Sequence, residues 1–309
     1  MKPLRPLLIA ALLGPAAPAL AGGCDSVTFS DVGWTDITAT TATASVVLEA
    51  LGYETQTKML ALPVTFASLA NGQIDVFLGG WLPTMEADLA PYREAGTIDE
   101  VRVNLTGAKY TLATNKAGAE LGIRDFADIA GQSKALGGRI YGIEPGNDGN
   151  RLILDMIAAD KFDLGGIKLV ESSEQGMLAQ VARADGQGKP VVFLGWEPHP
   201  MNTAFAITYL TGGDEVFGPD FGGATVHTLT RAGFSAECPN LGNFLSNLEF
   251  SLSMESEIMG AILNDRKDPK AAARAWISAH PEMLTSWLAG VKTRSGQDAL
   301  PAVTAAITQ

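Results

Sequence analysis

Ile74-Asp75-Val76-Phe77-Leu78-Gly79-Gly80-Trp81 and, in the second half of the chain, Val191-Val192-Phe193-Leu194-Gly195-Trp196 are built alike: an apolar run, then glycine, then tryptophan. A short run of β-branched and aromatic residues bounded by glycine reads as a buried strand, of the kind that helices cover in α/β proteins. Each strand is expected to stop at its glycine and to carry a large ring just past its carboxyl end. Open α/β sheets hold their ligands there. One such ring in each half of the chain points to a site in a cleft between two lobes. The likeness is too short to argue an internal duplication.

Before the first of these runs, residues 27–30 read as a first strand and 38–51 as a helix ending at Gly52. Residues 53–60 return as a strand and 65–70 as a short helix, which completes one lobe of alternating strands and helices. A second series opens near Lys109 and continues through strand 139–143, a helix opening near Asn150, strand 167–172 and helix 176–184. Beyond about Gly223 the pattern turns mostly helical, and those helices are expected to pack back on the first lobe.

The amino terminus carries Lys2 and Arg5, a short apolar core over residues 7–13, and Ala19-Leu20-Ala21. This order fits an export leader cleaved near Ala21. The apolar core is followed by Gly14-Pro15 and falls far short of the roughly 20 residues that span a bilayer. A lipidated start at Cys24 lacks the leucine expected three residues before it. In an oxidising compartment Cys24 and Cys238, the two cysteines present, read as one disulfide; two buried thiols are the alternative. With 46% hydrophobic and 18% charged residues over 309 positions, the chain is globular and long enough for two cores. Acidic residues outnumber basic ones 34 to 22, and the net charge of −12 disfavours nucleic acid and anionic membrane as partners. Two cysteines and three histidines spread along the chain argue against a metal site, and no cofactor is expected.

Of five tryptophans, Trp276 and Trp287 fall within helical periods and read as packing. Trp34, Trp81 and Trp196 follow strand-like runs at turns. Several aromatic faces around one point hold a cation that cannot donate hydrogen bonds, at about 0.5 to 2 kcal/mol per ring. A quaternary ammonium is such a cation. Asp36, two residues after Trp34, supplies a carboxylate for it; the plainer role for Asp36 is the N-cap of the helix that follows. Glu144-Pro145-Gly146-Asn147-Asp148-Gly149-Asn150-Arg151 lies between a strand and a helix. It offers either ligand contacts, foremost from Asn147, or an ordinary capped turn.

These segments, together with Phe77 to Thr84, Ala108 to Thr114 and Gly195-Trp196-Glu197-Pro198-His199-Pro200, resemble the choline-binding periplasmic proteins of rhizobial and related bacteria. Those belong to the glycine betaine and choline receptors that serve ATP-driven importers. The resemblance runs through essentially all of the chain after the leader. It implies a two-lobed periplasmic binding protein of type II, α/β in class, with residues 22–105 and 223–309 in one lobe and 106–222 in the other. It further implies an aromatic box of Trp34, Trp81, Tyr110 and Trp196 around the trimethylammonium group, with Asp36 and Asn147 contacting the ligand and Asn147 at the hydroxyl end. Cys24 and Cys238 match the family disulfide.

The expected function is capture of choline by hinge closure and delivery to the permease and ATPase subunits of an importer, by a monomer in the periplasm. A glycine betaine, carnitine or acetylcholine receptor is the near alternative. A carboxylate ligand needs donors, for which His199 is the one candidate, while Asp36 repels it. An enzyme such as a choline-ester hydrolase is the remote alternative. The chain lacks a Gly-x-Ser-x-Gly elbow, and neither His227 nor His280 stands in a catalytic context.

Overall fold

The structure, a computed structural model, describes residues 23–307. The expected leader, residues 1–21, lies outside them. The first series runs β1 (Ser26–Asp31), α1 (Thr35–Ala50), β2 (Glu54–Met59), α2 (Leu62–Ala70) and β3 (Val76–Leu82). The second holds β4 (Ile98–Thr114), β5 (Arg139–Tyr141), β6 (Lys168–Val170), β7 (Val192–Glu197) and the two-residue β8 (Thr208–Tyr209); β9 (Gly223–Arg231) follows. This is the α/β fold expected.

The nine strands among the described residues join one hydrogen-bonded sheet, with the path β2-β1-β3-β9-β4-β7-β5-β6 and β8 on β4. Parallel pairs sit at its two ends, and β3, β9, β4 and β7 pair antiparallel in the middle. β4 runs out beside β9 running back, with Ala108 opposite Ala224 and Lys109 opposite Gly223. Their register is irregular between Glu100 and Arg102 and again between Val103 and Ala108. Such irregularities bend and twist a ladder locally.

Three expectations need correction. β3 and β7 do not stop at their glycines but run through them, so Trp81 and Trp196 lie inside strands. The glycines mark close approach instead. A Cβ on Gly79 would stand 2.6 Å from Ile37 Cδ1, and one on Gly195 would stand 2.9 Å from Ala113 Cβ. Second, α1 begins three residues before its expected start. Its N-cap is Trp34, which makes no side-chain cap bond, so Asp36 is not the cap but an acid in the first turn. Third, the segment after Gly223 opens with β9, a buried central strand, before turning helical.

Apart from the half-buried Thr38, α1 is buried from Thr35 to Leu48, although four threonines, a serine and an aspartate are among those buried residues. Thr40 and Thr43 solve part of this by donating to the Asp36 and Ala39 carbonyls of the preceding turn. The helix ends where expected, with Gly52 in the left-handed region at φ 91°. Helices Leu252–Leu263 and Pro269–Ala279 pack against α1, the return expected of the C-terminal segment. A disulfide between Cys24 and Cys238, Cα atoms 5.5 Å apart, fastens that return to the start of β1. Among the described residues no helix is long and apolar enough to cross a membrane.

Candidate functional site

Four separate elements aim rings at one point: Trp34 from the start of α1, Trp81 from β3, Tyr110 from β4 and Trp196 from β7. Tyr110 and Trp196 face each other across the β4–β7 ladder. Their centroids are 6.4 Å apart with planes at 80°, and Trp81 lies 5.8 Å from Tyr110 at 54°. None of the four is more than 6% exposed. With Asp36, Asp148 and Ile143 they line one small cavity.

The polar groups around this space are short of partners. Trp81 Nε1 donates to Asp36 Oδ2 at 3.2 Å. Asp36 Oδ1, both Asp148 carboxylate oxygens and Glu144 Oε1 are buried atoms with no hydrogen-bond partner among the described residues. Burial, reinforced by the charge of Glu174, pushes the Asp36 carboxyl up to about 8. Burial likewise raises Asp148 to about 6 and Glu144 to about 7. The Tyr110 phenol is driven well above its ordinary value by burial and by Asp148 and Glu144, which keeps it protonated. Among the described residues no cationic side chain lines the cavity. Buried carboxyl groups left without partners are costly, and a cation among them would relieve that cost.

Five of the six expected site residues, Trp34, Asp36, Trp81, Tyr110 and Trp196, therefore line one cavity. Asn147 sits just behind it. It caps helix Asp148–Ala158, its Oδ1 accepting from Asn150 N–H at 2.7 Å, and that same oxygen lies 3.5 Å from the Tyr110 hydroxyl. Its Nδ2 is buried and has no partner among the described residues. Asp148 and Ile143 line the cavity and were not expected to. Asp148 stood in the motif with Asn147, yet an acid in the first turn of a helix is ordinary. Glu174, which meets Thr35 beside the cavity, carried no signal, because its importance arises only from a contact 139 residues away in the chain.

His199 is not a ligand donor in this geometry. Its Nδ1 accepts from Met201 N–H at 2.9 Å, which puts the proton on Nε2, 3.3 Å from Glu174 Oε1. Trp287 is fully buried and donates to the Glu249 carbonyl, while Trp276 stacks on His280. Both lie outside the cavity lining, as expected.

A family model described as the substrate-binding domain of an ABC-type glycine betaine transport system matches residues 25–279. Among solved structures, an ABC-transporter choline binding protein in complex with choline is 65% identical, over 92% of this chain and 98% of its own, with a TM-score of 0.91. An ABC-transporter choline binding protein in an unliganded semi-closed conformation is also 65% identical, over 93% and 99%, with a TM-score of 0.85. Lactococcal OpuAC, closed and complexed with glycine betaine, is 25% identical over 85% and 99%, with a TM-score of 0.77.

Proposed function

This chain belongs to the family of substrate-binding domains of ABC-type glycine betaine transport systems, and from that premise we propose that it captures choline in the ring cavity and delivers it to an importer. The observation that carries the choice of ligand is the pairing of four aromatic walls with the unpartnered oxygens of Asp36 and Asp148, with no cationic side chain among the lining residues. A trimethylammonium group offers apolar methyls to the rings and a diffuse charge to the carboxylates. Three or four rings at about 0.5 to 2 kcal/mol each, together with methyl burial, approach the roughly 8 kcal/mol of micromolar binding.

The ligand contacts we assign are Trp34, Trp81, Tyr110 and Trp196 to the ammonium, Asp36 to its charge, and Asn147 to the hydroxyl end through its free Nδ2. Lobe A comprises residues 22–105 and 223–309, lobe B residues 106–222. Supporting this division, β4 and β9 cross side by side at Ala108 and Ala224, next to the register irregularities of β4. The protein works by closure, not catalysis. Ligand bridging the lobes favours the closed form by its higher affinity for that form. The closed shape is what permease and ATPase partners respond to, in the periplasm after cleavage near Ala21. The Cys24–Cys238 disulfide fits an exported chain.

A betaine ligand has the family's description in its favour, but its carboxylate would find no cationic donor among the lining residues, with His199 turned away. Isothermal titration with choline, acetylcholine, glycine betaine and proline betaine tests the choice. Choline is expected to bind tightest; glycine betaine about tenfold tighter than choline would overturn the reading.

A further inference from the structure

Beside the ring cavity lies a second buried polar contact, made by residues that do not themselves line the cavity. Glu174, first residue of helix Glu174–Gly186, is fully buried. Its Oε2 accepts from the Thr35 backbone N–H at 2.8 Å and its Oε1 from the Thr35 hydroxyl at 2.5 Å. Thr35 opens α1, where backbone N–H groups lack partners within the helix and the helix dipole favours negative charge. On its other side Glu174 Oε1 meets His199 Nε2, and the His199 ring packs edge-on against Trp196 with centroids 4.9 Å apart. One carboxylate therefore grips the start of α1 from across the molecule. Both ends of the grip adjoin cavity walls: Trp34 and Asp36 flank Thr35, and Trp196 backs His199.

We infer that Glu174 is the closure latch of this receptor, a positioning residue that holds the α1 terminus, with Trp34 and Asp36, against the second lobe in the closed form. The inference rests on the choline-receptor reading and on the lobe division above. The latch joins residue 174 of lobe B to residue 35 of lobe A, so its bonds break when the lobes part. It stabilises only the closed state and slows ligand release, leaving capture by the open form unchanged. A second tie, from Arg151 to the Thr84 carbonyl at 3.0 Å and to Asp88 at 2.7 Å, also spans the lobes. It is about one-third exposed, and solvent screening makes it the weaker of the two.

The test is stopped-flow binding of choline to the mature protein, following tryptophan fluorescence, with Glu174→Gln and Thr35→Val. In Glu174→Gln one carboxylate oxygen becomes an NH2 donor and the negative charge at the α1 terminus is lost, so only one of the two Thr35 donors keeps its acceptor. The dissociation rate should then rise about tenfold or more while the association rate stays within about twofold. Thr35→Val keeps the backbone bond and loses the hydroxyl, so its dissociation rate should rise about threefold; it carries the test if Glu174→Gln does not fold. Dissociation rates within about twofold of wild type in both variants would overturn the latch. So would equal losses in both rate constants accompanied by a lower melting temperature without ligand, the mark of a mere fold support. Wild-type protein that does not bind choline would sink the ligand reading itself, and the latch with it.

Discussion

Burial makes the Asp36 carboxyl both expensive and selective. Pushed up to about 8 by desolvation and by Glu174, it holds a proton in the folded protein that the unfolded chain releases near its ordinary value of 3.8. Its contribution to stability is therefore present at low pH and is lost as pH climbs from about 4 toward 8. A quaternary cation favours the carboxylate, so binding expels the proton. Choline affinity should rise from about pH 6 to about pH 8, by at most about tenfold per unit, then level off. Titrations in buffers of different ionisation enthalpy would read the released proton directly. Asp36→Asn should abolish the rise nearest pH 8 and leave only the part due to Asp148 and Glu144, raised to about 6 and about 7, and a wild-type affinity independent of pH would remove Asp36 from the charge balance. The rings are tested separately. Trp34→Ala or Trp196→Ala should weaken choline binding about tenfold or more, since each removes one wall worth on the order of 1 to 2 kcal/mol. Unchanged affinity in both, with the fold intact by circular dichroism, would dissolve the box.

At the scale of elements, β3 shows how closely the strands and α1 are packed. Gly79 lies under Ile37, and an added Cβ would come within 2.6 Å of Ile37 Cδ1 and 2.8 Å of Phe77 Cζ. Gly79→Ala should therefore destabilise the protein by about 1 to 3 kcal/mol in urea unfolding. It should also weaken choline binding, because Ile37 follows Asp36 and Trp81 follows two residues after Gly79. Stability equal to wild type would show that α1 yields easily. The same packing explains what was legible in the sequence. Apolar runs marked the cores of β1, β3 and β7, and Gly52 marked the end of α1. The continuation of β3 and β7 through glycine was hidden because glycine signals both a turn and a close approach, and only the neighbouring helix distinguishes them. β9 was hidden for another reason. Its threonines at 225, 228 and 230 look polar, yet Thr228 and Thr230 are fully buried in the centre of the sheet.

For the whole molecule, the disulfide closes a loop of 214 residues' separation, worth up to roughly 5 kcal/mol in the chain-entropy model. Reduction should cost about 2 to 5 kcal/mol, seen as a lower melting temperature in dithiothreitol. Saturating choline should restore part of that loss through linkage. A melting temperature indifferent to reduction would mean that the α1 packing alone holds the C-terminal helices. Closure itself is open to small-angle scattering. Choline should reduce the radius of gyration, and an unchanged value on saturation would contradict a hinge mechanism.

Local periodicity and residue type were enough to establish the α/β alternation and the two strands that carry Trp81 and Trp196, and they nominated rings with a carboxylate as the ligand chemistry. Signals of that kind need no neighbours to be read. Tyr110 was named only through the family resemblance, because a tyrosine in a strand has no local signature of ligand contact. The tertiary structure decided that Tyr110 stands opposite Trp196, that Asp148 joins Asp36 in the cavity while Asn147 caps a helix behind it, and that Glu174 receives Thr35. Each of these depends on register or on a contact between segments far apart in the chain. Register and burial are products of the sheet path and the packing of α1, and no single stretch of residues contains them.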